Sequence, residues 1–137
     1  MDVKKFSLST LAGGVTFFVL GFVIYGIALA GFMEANSGAA NLVAKDPMEM
    51  WAMILSNLAY GALLAYIFLQ WANISTFATG ARAGALIGLI LALYFDLITY
   101  SMMNVMTITG MVVDIVVFTI LSAIIGGVVG LVLGKIK

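Results

Sequence analysis

Four long apolar runs govern what this chain can fold into. A helix that crosses a hydrocarbon core of roughly 30 Å needs about 20 mostly apolar residues. Residues 11–32, 50–71, 81–103 and 111–133 each meet that requirement. The segments between them are polar or turn-forming: 34–47 holds Asn36, Ser37, Gly38, Asn41, Lys45, Asp46 and the single proline, 72–80 holds Asn73, Ser75, Thr76 and Thr79, and 104–110 is short and polar. A closed β-barrel also satisfies its backbone in lipid, but its strands alternate polar and apolar over about ten positions. Residues 85–95 do not alternate. The expected fold is an all-α integral membrane protein, one domain over residues 1–137 forming a four-transmembrane-helix bundle.

Composition agrees and excludes several functions. Of the 137 residues, 64% are hydrophobic and 9% charged, against about 45–50% and about 25% in soluble domains. Six basic residues cancel six acidic ones, so there is no basic patch for a nucleic acid. Without cysteine or histidine, the chain lacks a thiol nucleophile, the usual general base and the commonest metal ligand. Ser56 and Ser122 have no evident base. No Lys-Ser/Thr follows the glycine runs at phosphate-loop spacing. The expectation is a protein that is not an enzyme and carries no cofactor.

Lys4 and Lys5 precede the first run, and Ala28-Leu29-Ala30 imitates a signal cleavage site. The run exceeds the 7–15 residues of a signal core, however, and is expected to stay as a span. In a four-span arrangement Lys4, Lys5, Arg82, Lys135 and Lys137 share one side and Lys45 lies on the other. The positive-inside rule then places both termini in the cytoplasm, as in a multi-pass inner-membrane protein, and turns 34–47 outward.

Small residues mark where helices approach closely in lipid. Gly80, Gly84 and Gly88 form one stripe on the third run, and Gly126, Gly130 and Gly134 another on the fourth. Folding the chain about Val105 brings the stripes level, with Gly13, Gly14 and Gly21 in the same half, so a bundle pinched at its cytoplasmic end is expected. The stripes serve equally well as a contact between copies in a homo-oligomer. A shift of 66 residues aligns Ser9-Thr10-Leu11-Ala12 with Ser75-Thr76-Phe77-Ala78, Gly14 with Gly80, and Gly61 with Gly127. Such a match would make the chain two tandem helical hairpins, although glycine and alanine recur in any helix of this composition.

Asp96 and Asp114 are the acids inside apolar runs, each nine residues from Val105. Charged groups at such depth are costly and face the protein interior or water. At about 100° per residue, Asp96 falls about 120° from its glycine stripe and Asp114 about 160° from its own. Asp96 is thus expected to point at the first or second span, where Tyr25, Asn57 and Tyr60 could donate hydrogen bonds, with Tyr100 and Asn104 on its own side. Thr107 would join Asp114 if the fourth helix extended back through the turn. Asp96 serves either as the carboxylate for a proton, cation or cationic ligand, or as a hydrogen-bonded tie between helices.

Eight of the nine methionines lie on the outward side. Met50, Met53, Met102 and Met106 are candidate ligands for a soft ion such as Cu(I); equally, methionine is a flexible filler of apolar cavities. The leading expectation is an outward cavity that binds or transports a cation, proton or small amphipathic ligand. Asp96 would serve it with Asp114, Asn57, Tyr60, Tyr100 and Tyr25. The rival is an accessory or assembly protein that binds lipid or a partner membrane protein through the glycine stripes and the methionine-rich face.

Gly21-x-x-x-Tyr25-Gly26, Asn57-x-x-Tyr60-Gly61 and Gly80-Ala81-Arg82-Ala83-Gly84 give the chain a resemblance to an uncharacterised family of small bacterial four-span membrane proteins, a domain of unknown function. The resemblance covers most of the chain. It implies the fold and the membrane location, and no activity.

Overall fold

A computed structural model describes all 137 residues. The chain is all-helical, with helices α1 (Val3–Gly21), α2 (Ala30–Ala35), α3 (Met50–Tyr66), α4 (Phe77–Met102) and α5 (Ile108–Lys135). Wide π-helical turns prolong α1 through Phe22–Ala28 and α3 through Ile67–Ala72. Four helical segments are long and apolar enough to cross a membrane: Val3–Ala28, Met50–Ala72, Phe77–Met102 and Ile108–Lys135. The four-helix membrane bundle follows.

Helix boundaries depart from the apolar runs because capping, not hydropathy, starts a helix. Asp2 accepts a hydrogen bond from the Lys5 amide, so α1 begins eight residues before its apolar run at residue 11. Thr76 accepts from Thr79 N and starts α4 within the expected 72–80 loop. Thr107 accepts from Gly110 N and starts α5. Thr107 therefore caps α5, which does not extend back through the turn, and its hydroxyl donates to Asn36 Oδ1 at 2.7 Å. The chain breaks at Leu29, so the first span ends near Ala28 and residue 32 belongs to the short helix α2.

α1 and α3 form one hairpin and α4 and α5 the other, joined mainly by α1 against α5. α1, α3 and α5 make the core, and α4 packs along the far side of α5. Beneath the middle of the bundle Leu64, Phe68, Leu121, Ile125 and Val129 are wholly buried. Tyr60 Oη donates to Ser122 Oγ at 2.8 Å, tying α3 to α5. At the end away from the termini, Thr107 N donates to Asn36 O at 2.9 Å, and Ala39 N donates to Asn104 O, latching the α2 loop onto the α4–α5 turn. Gly38 serves this latch with φ +55°, and a Cβ there would press on Asn104 O.

Glycine sets the depth of both hairpins. A Cβ added to Gly84 would lie 2.9 Å from Gly126 Cα, and one on Gly126 would lie 2.8 Å from Gly84 Cα. Gly80 packs on Gly126 and Gly130, Gly88 on Ser122, and Gly134 on Ser75. The two stripes thus pack on each other within one chain, one of the two arrangements the sequence allows. Gly61, whose packing role the sequence reading missed, nests against Thr10 and Gly14 of α1. Gly21 meets no other helix.

Candidate functional site

The close approach of α4 and α5 determines where the acids go. Helices that cross on their glycine faces follow rows of residues four apart rather than a line parallel to the axis. On α4 the buried row is Gly80, Gly84, Gly88, Ala92 and Asp96. On α5, stepping back by fours from Gly130 through Gly126, Ser122 and Phe118 arrives at Asp114. The rows run toward each other symmetrically about Val105, so each glycine contact points on toward the two acids.

Asp96 and Asp114 accordingly line one cavity of about 200 Å³, together with Tyr60, Leu91, Ala92, Phe95 and Phe118. Their carboxyl groups are near enough to interact directly. Asp96 is 9% exposed, and its Oδ2 is enclosed without a hydrogen-bond partner; Asp114 is half-buried. Asp96 shares this cavity with Tyr60 of the second span, as expected, but also with Asp114 of α5, which the angular reading does not place beside it. The straight-helix angle of about 120° ignored the drift of the four-residue row.

The floor of the cavity is aromatic. Tyr60 of α3 and Phe118 of α5 line it, and Phe17 of α1 packs against both, the ring centroids lying 5.3–6.0 Å apart. Tyr60 is present as expected, but its hydroxyl is committed to Ser122 and not to Asp96. Tyr25 approaches from the π-helical turn of α1. Its hydroxyl is enclosed, faces Asp114 with Asp96 behind, and closes no hydrogen bond with either. π-turns of this kind recur at functional sites.

Asn57, expected beside Asp96, lines a different cavity. It is 8% exposed and forms no hydrogen bond within the chain. Its cavity lies between α1 and α3, measures about 520 Å³, and is walled by Phe17, Phe18, Phe22, Tyr25, Met50 and Met53 among others. Tyr100 is exposed and lines none of these cavities, so it is removed from the acid site. Asn104 is likewise exposed, at the latch. Met50 and Met53 line the α1–α3 cavity, whereas Met102 ends α4 and Met106 lies in the α4–α5 connection, both outside it. The four methionines do not line a common cavity.

No basic side chain answers the two acids. Lys45 pairs with Glu49 at 3.4 Å, and Arg82 lies fourteen residues before Asp96 on α4, about 21 Å along the helix. The arrangement is an anionic pocket with an aromatic floor, reached from α1 by a tyrosine hydroxyl. No protein family, curated protein or solved structure matches the chain, so the function rests on this geometry.

Proposed function

We propose that this protein sits in the inner membrane with both termini cytoplasmic and binds or transports a cation or proton at Asp96 and Asp114. One observation supports the reading above others: two carboxylates from neighbouring helices share a small cavity with no positive side chain beside them. A buried charge must be paired or neutralised, so a proton or a cation completes this site. Asp96 is the central ligand, Asp114 its partner, and Tyr25 a hydroxyl ready to join them. The closely packed residues below the aromatic floor leave no open pore in this conformation. A carrier or binding protein therefore fits better than a channel. The accessory reading loses its glycine stripes, which are already occupied within the chain.

Orientation is tested by exploiting the absence of cysteine. Lys45→Cys should react with a membrane-impermeant maleimide in intact cells, and Lys137→Cys only after permeabilisation. The reverse pattern would overturn the placement of the termini.

The activity is tested in proteoliposomes with a pH-sensitive dye and with radioactive sodium. Wild-type protein should move or bind one of these cations. Asp96→Asn should lower the signal at least tenfold while helical content by circular dichroism stays unchanged. Asp114→Asn should lower it less, because its carboxyl is only half-buried. Loss of neither signal in Asp96→Asn would refute the assignment.

A further inference from the structure

The acid cavity and the larger α1–α3 cavity meet at one residue. Tyr25 contributes its ring to the wall of the larger cavity, while its enclosed hydroxyl faces Asp114 and Asp96. We propose that the α1–α3 cavity and the acid pair form a single site for a lipophilic organic cation, with its apolar body among Phe17, Phe18, Phe22, Met50 and Met53 and its charged centre directed past Tyr25 toward the two carboxylates. This inference rests on the reading of Asp96 and Asp114 as a cation site, and names the class of cation.

Three independent features carry it. The cavity holds about 520 Å³, within the roughly 300–1,000 Å³ of small-molecule sites. A lone metal ion or proton would leave most of that space unused. Its wall is aromatic and thioether, which suits a diffuse positive charge on an apolar frame: aromatic faces attract cations, and methionine adapts to irregular shapes. Its wall also contains Asn57, a polar side chain among apolar ones. A few polar groups in such a wall fix the orientation of a ligand. The charge on the ligand is selected by the acids, since no basic group in the site would favour an anion.

The test uses tetraphenylphosphonium and tetraphenylborate, ions of matched shape and opposite charge, with the purified full chain in lipid nanodiscs and equilibrium dialysis as the readout. The phosphonium should bind saturably and the borate at least tenfold more weakly. Asp96→Asn should weaken phosphonium binding about tenfold. Two cavity-filling variants locate the body of the ligand. Met53→Trp should also reduce phosphonium binding about tenfold. So should Gly21→Leu, whose added Cβ meets only Phe17 at 3.5 Å and no other helix. Both should leave proton or sodium binding at the acids intact. Equal binding of the two ions, or full phosphonium binding in both cavity-filling variants, overturns the inference. So does a phospholipid held in the cavity that the phosphonium does not displace. Absence of phosphonium binding alongside Asp96-dependent proton or sodium movement rejects the organic cation and leaves the acid site standing; loss of both rejects the two together.

Discussion

Gly84→Leu should separate α4 from α5 and destabilise the bundle by at least about 3 kcal/mol, the upper end of ordinary overpacking. The reason is what lies opposite. In a typical core an extra methylene displaces side chains, which can change rotamer. Here a new Cβ would meet Gly126 Cα at 2.9 Å and the Ser122 carbonyl, so only a shift of whole helices can make room. α4 has little other anchorage, because α5 is its main neighbour. Association in lipid depends on this close packing rather than on a hydrophobic drive, so the loss has no ready substitute. Each helix should remain inserted, and circular dichroism should change little, while the midpoint of detergent-induced unfolding falls sharply. The same substitution at Gly31, where an added Cβ has nothing within 4 Å, should be nearly silent. An unchanged midpoint in Gly84→Leu would mean that the α4–α5 contact is not what holds α4. Since the stripe lies inside the chain, the damage should appear in the monomer and not first in the assembly of copies.

The helices were readable because lipid leaves few solutions: about twenty apolar residues bounded by polar turns can hardly be anything else. Their ends were less readable. Asp2, Thr76 and Thr107 start helices by capping, and a cap is one side chain against a long hydropathy signal. The glycine stripes were visible, and so was their registration about Val105. What escaped was the angle between the helices. Counting 100° per residue treats each axis as parallel to its neighbour, and it rotates Asp96 away from the interface. Counting by fours follows the actual contact row and carries Gly80 to Asp96 without a break. The partner of Tyr60 escaped for another reason. Ser122 on α5 could be recognised as its acceptor only once α3 was known to touch α5.

Asp96→Leu should do the opposite of Gly84→Leu and stabilise the bundle by about 1–3 kcal/mol while abolishing cation binding. Asp96 Oδ2 is enclosed without a partner, and an unsatisfied buried polar atom costs about 1–3 kcal/mol. Replacing buried charged groups by apolar residues of similar size is often neutral or stabilising. Leucine would lie against Leu91, Phe95 and Phe118 in the same cavity. The comparison has to be made in a buffer poor in the bound cation, because a ligand that binds only the folded chain raises its apparent stability. Tyr60→Phe calibrates the measurement. It removes a hydrogen bond that is actually formed, at 2.8 Å, and should lower stability by about 0.6 kcal/mol, as such bonds do in membrane bundles. Detergent unfolding should therefore rank Asp96→Leu above wild type and Tyr60→Phe slightly below it. A large loss of stability in Asp96→Leu would make the carboxylate a structural tie between α4 and α5. A gain in stability joined to lost cation binding would show a group held at a cost to the fold, which a site for a charged ligand explains and a mere tie does not.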